Sequence, residues 1–218
     1  MTAIGPIVMI NPNSAAGVTI GMREALAPYA LAHGPAFECV DFPAGPATIA
    51  TAEDVARAAI MLLDYARARP DASAFVIACF SDPGLDLLRA SIPQPVLGLQ
   101  ETGVLTAMAR ADMFGIIALS PRAAARHRLR LRQMGVLPRM VAELGLSGVS
   151  ALDAGTSDAV FAETSARGRD LVAMGAGAIV LGCAGFAPRR RALEDALGVA
   201  VIDPVQAAAG MALAAALA

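Results

Sequence analysis

Two segments, AFVIACFSDPG (residues 74–84) and AIVLGCAGFAP (residues 178–188), repeat one pattern about half the chain length apart. Each begins with a continuous apolar run, which is typical of a strand buried in a parallel sheet, and passes through a cysteine into small, helix-starting residues. Cys79 and Cys183 are therefore predicted to lie beyond the carboxyl ends of two equivalent strands. Ligands bind at that edge of doubly wound sheets, so both cysteines are candidates for chemistry.

The rest of the chain alternates short Val- and Ile-rich runs with longer Ala-, Leu- and Arg-rich stretches, the pattern of strands alternating with covering helices. Strands are predicted at residues 7–10, 37–41, 74–78, 96–98, 115–118, 148–151, 178–181 and 200–201. Helices are predicted at residues 15–31, 51–69, 84–91, 103–109, 121–134, 158–174, 188–197 and 204–217. This order predicts a doubly wound α/β fold with parallel sheets, and the repeated cysteine segments indicate two pseudo-symmetric halves. Two lobes that face each other across an active-site cleft would bring the two cysteines together.

The composition argues against nucleic-acid and membrane partners. The 218 residues carry a formal net charge of -2, and two tyrosines without tryptophan leave little surface for base stacking. A long uncharged run, residues 171–188, is interrupted by glycines, which favours a buried strand and its turn over a spanning helix. The N-terminal MTAIGPIVMINPN has no basic region before its apolar stretch, and three cysteines without a pairing pattern suggest reduced thiols. We therefore expect a cytoplasmic protein.

The chain contains no lysine, which removes several mechanisms at once. A pyridoxal phosphate enzyme needs a lysine for its Schiff base, and a P-loop needs one for the phosphates. His33 and His127 stand isolated, without other metal ligands at suitable spacing, so no metal site is expected. The protein is therefore expected to act with its own side chains and without a cofactor.

A pair of cysteines suits the inversion of an acidic carbon centre, because racemisation removes a proton from one face and delivers one to the other. A free thiol with a pKa of about 8.5 is only about 3% ionised at pH 7, and lowering its pKa to about 7 takes about 2 kcal/mol. Asp82 and Pro83 are predicted to begin a helix after Cys79 and so to help lower its pKa. A helix N-terminus supplies at most about 2 kcal/mol, so nearby amides must add hydrogen bonds.

Candidate substrate contacts follow the predicted strands. Small residues beside each cysteine leave N–H groups free to approach the oxygen of a developing enolate. In the first turn, INPNS, two asparagines present amides to the same edge, while Ser14 is predicted to cap the next helix. Ser120 reaches the cleft or caps the helix after it. The candidates for substrate binding are Asn11, Asn13, Phe80, Ser81, Ser120, Ala184 and Gly185.

Other chemistry-bearing residues have a structural interpretation. Cys39 lies inside a predicted strand and is expected to be a buried hydrophobe. His127, within RHRLRLR, is expected on a solvated basic face of a helix. Glu101 is expected to stabilise a helix N-terminus rather than to bind a substrate nitrogen. Phe186 either shapes the pocket or packs.

Four motifs resemble those of a known family. They are INPNS (residues 10–14), ACFSDPGL (residues 78–85), PVLGLQET (residues 95–102) and VLGCAGF (residues 180–186). Together they resemble the hydantoin and allantoin racemases of the aspartate/glutamate racemase superfamily over nearly the whole chain. The resemblance implies that Cys79 and Cys183 are the catalytic bases, that no cofactor is used, and that a cyclic ureide is racemised at C5.

The resemblance also implies an organisation of the molecule. Residues 1–98 with residues 205–218 would form a first lobe carrying Cys79, and residues 99–204 a second lobe carrying Cys183. The closing helix then returns to the first lobe. Homo-oligomerisation is a further implication of the resemblance.

Departures from related families leave alternatives open. Glutamate and aspartate racemases read Asn-Thr after their first cysteine and Thr-His or Thr-Glu after the second, where this chain has Phe80-Ser81 and Ala184-Gly185. Arylmalonate decarboxylase keeps only the second cysteine, and maleate isomerase has different flanking segments. Hydantoin racemases commonly have glycine where Ser81 stands, so the ring substrate stays open between hydantoins and allantoin. Outside the enzymes, two lobes around a cleft also suit a small-ligand-binding module.

Overall fold

The computed structural model describes residues 4–218, which contain two parallel four-stranded sheets. The strands are β1 (Ile7–Ile10), β2 (Phe37–Val40), β3 (Ala74–Ile77), β4 (Val96–Gly98), β5 (Phe114–Ala118), β6 (Met140–Gly145), β7 (Ala178–Leu181) and β8 (Ala200–Ile202). The sheet orders, β2-β1-β3-β4 and β6-β5-β7-β8, have the same connectivity. The predicted α/β fold of two parallel, pseudo-symmetric units is confirmed. Residues 1–3, with which the predicted first lobe and the apolar N-terminal segment begin, lie outside the described residues.

Helices connect the strands. The α-helices are α1 (Ala16–Leu26), α2 (Ala52–Arg67), α3 (Leu85–Ser91), α4 (Leu99–Arg110), α5 (Ala124–Gln133), α6 (Ala151–Thr156), α7 (Asp158–Ala173), α8 (Arg190–Leu197) and α9 (Pro204–Leu217). Short 3-10 turns occupy Ala27–Tyr29, Pro121–Ala123, Leu137–Arg139 and Ala184–Arg189. The predicted helices are present with shifted ends, and α6 was not predicted.

The strand predicted at residues 148–151 is wrong. The chain pairs with β5 through β6, Met140–Gly145, while Gly148 lies in a turn with φ of +87° and Ala151 begins α6. Glu143 stands in the middle of β6, and a carboxylate inside a strand breaks the apolar pattern on which the prediction relied. Glu143 is nevertheless buried, because its carboxylate pairs with His127 of α5.

Both faces of the first sheet are buried, as expected for parallel strands. Along β1, Ile7 and Met9 face the layer between the two sheets, and Val8 and Ile10 face the outer layer with α2 and α3. The second sheet likewise packs its outer face against α7 and α8. Helix α2 begins at a capping box in which Thr51 and Asp54 bond each other's backbone N–H.

Helices α4 and α9 cross between the sheets and pack against each other. Helix α4 follows the first sheet but packs on β7 and β8 of the second, and α9 follows the second sheet but packs on β3 and β4 of the first. Apolar side chains of α9, including Val205, Ala208 and Ala212, are fully buried in that layer. Each sheet is thus covered by a helix from the other half, and a division at residues 98 and 205 remains our proposal for the lobes.

Candidate active site

A cleft of about 610 Å³ opens at the carboxyl ends of strands from both sheets. Its wall is formed mainly by the residues that follow β1, β2 and β3 of the first sheet and β5, β6 and β7 of the second. The volume lies within the range of about 300 to 1,000 Å³ typical of small-molecule sites. Of the nine candidate residues from the sequence, all except Gly185 line this cleft.

The two cysteines occupy equivalent places. Cys79 is the second residue after β3 and Cys183 the second residue after β7, and both thiols are free and half-buried in the cleft wall. In each case the backbone N–H two residues on donates to the sulfur: Ser81 to Cys79, and Gly185 to Cys183 at 3.4 Å. The pseudo-symmetry of the sheets therefore brings two similarly bonded thiols to one cavity.

Burial sets the pKa of both thiols. It raises the pKa of Cys79 to about 12, although the N–H of Ser81 acts in the opposite direction, and the negative charge of Cys183 adds to the increase. Burial likewise raises the pKa of Cys183 to about 11 against the N–H of Gly185. The expected lowering of the Cys79 pKa is therefore wrong, because loss of hydration outweighs the hydrogen bond. A charge on Cys183 therefore opposes ionisation of Cys79, and the two thiols are not expected to be ionised together.

Asp82 holds the turn that carries Cys79, but not by capping the helix after it. Helix α3 begins after Gly84, and the carboxylate of Asp82 instead accepts the backbone N–H groups of Gln100 and Glu101, each at 3.0 Å, at the start of α4. Asp82 has a φ of +44°, and a Cβ on Gly98 would lie 2.3 Å from its Cγ. The predicted cap on α3 is wrong, because the carboxylate ties the turn to α4 across that glycine.

Asn11 and Asn13 line the cleft after β1. The Nδ2 of Asn11 donates to Thr19 Oγ1 at 3.1 Å, while its buried Oδ1 has no partner among residues 4–218. Asn13 Oδ1 accepts the N–H of Ala15 at the start of α1, so its Nδ2 remains to donate. Ser14 does not cap α1 as predicted, because its hydroxyl turns to the carbonyl of Pro46.

The remaining candidates differ in surroundings. Gly185 lies behind the wall, where a Cβ would meet the carbonyl oxygen of Ala151 at 1.9 Å. Phe80 is buried with its ring edge-on to His127, and Phe186 is fully buried in the outer core of the second sheet. Ser120 precedes the 3-10 turn Pro121–Ala123 without a side-chain cap, so its hydroxyl is available to the cleft.

His127 is buried, and its predicted place on a solvated face is wrong. Its Nδ1 lies 2.6 Å from Oε1 of Glu143 on β6, and the two side chains are 4% and 2% exposed. The ring also lines the cleft, so Nε2 is the nitrogen that remains for it. The sequence pattern RHRLRLR could not reveal this pairing, because Glu143 comes from a strand that the pattern did not predict.

Arg122 and Arg126 also line the cleft and were missed, because a charged run in the sequence does not show which of its side chains face a cavity. They lie four residues apart, on one side of the 3-10 turn and first turn of α5 that follow β5. The usable signal was Pro121, which starts a helix directly after a buried strand and so places the first turn at the carboxyl edge of the sheet. Thr48 and Ser147 complete the polar wall.

Asp203 is the buried acid on the Cys183 side. It caps α9 through Oδ1, which accepts the N–H of Val205 at 2.9 Å, and its Oδ2 has no partner among residues 4–218. Burial raises the pKa of Asp203 to about 7, as it does for Asp82. A charge on Asp203 in turn raises the pKa of Cys183, so each thiol has a buried carboxyl group near it.

Two structural interpretations from the sequence are tested outside the cleft. Cys39 is buried in β2 as predicted. Glu101 lies in the first turn of α4, as expected, and pairs with Arg89 at 2.8 Å and also with Arg130. It does not line the cleft.

Two other kinds of feature are absent from the described residues, 4–218. No helix there combines the length and the apolar character needed to cross a membrane. No group of three or more His, Cys, Asp or Glu side chains in that part of the chain could hold a metal ion.

Comparison with known proteins points to one family. The family model described as Asp/Glu/Hydantoin racemase matches residues 7–212. A hydantoin racemase of Paenarthrobacter aurescens is 35% identical over 206 residues, covering 93% of this chain and 87% of the relative. A hydantoin racemase of Rhizobium meliloti is 33% identical over 221 residues, covering 94% and 86%.

A solved structure gives the same indication. Allantoin racemase from Klebsiella pneumoniae superposes with a TM-score of 0.86 at 31% identity, covering 95% of this chain and 86% of that one.

Proposed function

The chain belongs to the Asp/Glu/hydantoin racemase family, and on that premise we propose that it inverts C5 of a cyclic ureide with Cys79 and Cys183 as the two bases. The substrate class is a 5-substituted hydantoin or allantoin. That the protein is a racemase, an isomerase, follows from its homology to hydantoin and allantoin racemases. The ring substrate and the roles of the cysteines are the proposed part.

One observation carries the proposed mechanism. Two thiols at equivalent positions of two sheets line the same cleft, each with a backbone N–H two residues on donating to its sulfur. A reaction that runs in both directions needs an acid and a base that exchange roles, and two like groups in like surroundings provide them.

The proton balance is simple. In one direction the thiolate of one cysteine takes the C5 proton, the ring carbonyl next to C5 takes up the electron pair as an enolate, and the other thiol delivers its proton to the opposite face. The reverse reaction exchanges the two roles, and solvent resets them between turnovers. Repulsion between the two sulfurs disfavours ionisation of both at once, so a thiolate that forms at one cysteine faces a neutral thiol at the other.

Ring-binding groups follow from the free donors and acceptors of the wall. Asn13 Nδ2 can donate to a ring carbonyl, and the unpartnered Oδ1 of Asn11 can accept a ring N–H. The N–H groups of Ser81 and Gly185 already donate to the sulfurs, so they stabilise thiolates rather than the enolate. Phe80, Ser120 and Ala184 then shape the cavity around the ring.

The test measures C5 proton exchange by NMR in deuterated buffer, with single enantiomers of 5-benzylhydantoin and of allantoin. We expect the wild type to exchange and racemise one of them well above an enzyme-free control. Cys79→Ser and Cys183→Ser should each lose racemisation by at least about 100-fold, the usual contribution of a positioned acid or base. Each should still exchange the enantiomer that the remaining cysteine can deprotonate.

Cys39→Ala is the matched control, because it removes a buried thiol outside the cleft. Either cleft variant racemising at the wild-type rate would overturn the mechanism. Activity only on free amino acids, maleate or arylmalonates would overturn the substrate class, and saturable binding without exchange would indicate a binding module.

The proposal extends to the setting of the enzyme. We expect a small-molecule ureide as the partner, no nucleic acid or membrane, and a cytoplasmic homo-oligomer. Light scattering of the purified protein at two concentrations tests the assembly, and a monomer at both would contradict it.

A further inference from the structure

Helix α5 and the turn before it bring two arginines to the cleft. Arg122 is exposed and Arg126 is half-buried, and both side chains line the cavity beside His127. Arg126 is near enough to Cys79 for its charge to be felt by the thiol. The cations therefore belong to the same cavity as the proposed bases.

Arg126 has no counter-charge in the described part of the chain. It forms no ion pair and donates no hydrogen bond to any residue between 4 and 218, and its buried Nε is unpartnered. Arg130, one turn further along α5, is instead paired with Asp86 at 3.0 Å and with Glu101. The Nε of Arg130 is unpartnered too, but its terminal nitrogens are paired with carboxylates, so the difference between the two arginines is that Arg126 lacks a carboxylate partner among residues 4–218.

The cleft wall itself is biased towards positive charge. Its lining from residues 4–218 includes Arg122 and Arg126 but no aspartate or glutamate, and the buried Glu143 behind it is engaged with His127. A cavity lined by cations in low-dielectric surroundings attracts anions. The planar guanidinium of arginine suits a carboxylate in particular, because two N–H groups can donate to its two oxygens.

We propose that the substrate carries a carboxylate on its C5 substituent, which Arg126 binds with support from Arg122. The inference rests on the proposed function, since it names the substituent of the ring that the cysteines would racemise. It predicts a preference for acidic 5-substituted hydantoins over neutral ones of the same size.

A competing explanation is that Arg126 acts only on the Cys79 thiolate. The two explanations separate because thiolate stabilisation affects every substrate equally, whereas carboxylate binding affects only acidic ones. The comparison therefore needs two substrates of equal shape, hydantoin-5-acetate and its primary amide.

The experiment measures kcat/KM for C5 exchange of both compounds, with 5-benzylhydantoin as a third substrate. Wild type should prefer the carboxylate, and Arg126→Gln should lower that preference by about 10- to 100-fold, as expected for a hydrogen-bonded charge. Arg126→Lys, which keeps the charge but not the planar guanidinium, should show a preference for the carboxylate between those of wild type and Arg126→Gln. Arg128→Gln is the matched control, an exposed arginine of α5 outside the cleft wall.

Each outcome has one meaning. A loss of equal size for carboxylate and amide overturns the inference in favour of thiolate stabilisation, and a wild-type preference for the amide or exchange of 5-benzylhydantoin alone overturns it too. In those cases the proposed function stands. If allantoin and the three hydantoins all fail to exchange, the proposed function fails and takes the inference with it.

Discussion

At the scale of single residues, each cysteine is defined by its neighbours two positions away and by its burial. The N–H of Ser81 or Gly185 donates to the sulfur, but removal from water dominates and raises the pKa of both thiols. A thiolate formed under these conditions is scarce but strongly basic, which suits a weakly acidic C–H bond. These raised pKa values agree with the proposed role of the two cysteines as bases.

Alkylation by iodoacetamide tests this description, because only the thiolate reacts. With pKa values of about 12 for Cys79 and about 11 for Cys183, the rate at each should rise about tenfold per pH unit from pH 7 to pH 9 without a plateau. Peptide-resolved mass spectrometry of the native protein distinguishes the sites. A plateau in the alkylation rate below pH 9 at either cysteine would show that the pKa of its thiol is not raised in the folded protein.

Sequence reasoning worked at residue scale where the signal was local. The repeat of strand and cysteine identified Cys79 and Cys183 without reference to distant residues. It failed for Arg126 and His127, because their environment depends on which side of α5 faces the cleft and on Glu143 from β6. A charged run has the same appearance whether it faces water or a cavity.

At the scale of elements, helix termini hold the cleft in shape. Asp82 binds the first turn of α4 from another segment, and Asp203 caps α9 directly. Both carboxyl groups are buried near a cysteine, and burial raises the pKa of both to about 7. Asp82 therefore links the start of α4 to the surroundings of Cys79, and Asp203 links the start of α9 to the surroundings of Cys183.

This coupling predicts a pH-dependent stability. A carboxyl group whose folded pKa lies above its unfolded value near 3.8 contributes most to the free energy of unfolding when it is protonated in both states. That contribution is lost as the pH rises towards about 7. The free energy of unfolding of Asp203→Asn, which can still accept from Val205, should thus fall less between pH 5 and pH 7.5 than that of wild type. Urea titrations at the two pH values measure the difference.

Asp195→Asn is the control for that measurement, since Asp195 is exposed on α8. Its decline in stability should match that of wild type. An equal decline in Asp203→Asn would mean that Asp203 ionises in the folded protein near its unfolded pKa, contrary to the burial argument.

Element prediction from the sequence succeeded wherever apolar runs were continuous and failed at β6. That strand carries Glu143, whose burial depends on His127, and a strand was predicted instead at the later apolar residues 148–151. Tertiary pairing of a charge is not visible in a local pattern. The missed helix α6 lies in the same misread region.

At the scale of the molecule, two sheets with one connectivity are joined by the crossing of α4 and α9. The internal repeat in the sequence predicted the pseudo-symmetry, but not this exchange of covering helices. The lobe bounds that the family resemblance implied assign α4 to the second lobe and nearly all of α9 to the first. Each sheet is packed by a helix of the other half, so the two walls of the cleft are mutually supported. Such a frame can hold two bases at a fixed separation, as a two-base racemase requires.

The most direct test of the two-base claim is the fate of isotope in early turnover. One pure enantiomer of the substrate is incubated in deuterated buffer, and the C5 deuterium content of recovered substrate and product is measured at low conversion. Two bases predict a product that carries solvent deuterium while the recovered substrate keeps its proton, because one thiol removes and the other delivers. A product that retains the substrate's own proton would contradict the account, since a single base would then serve both faces.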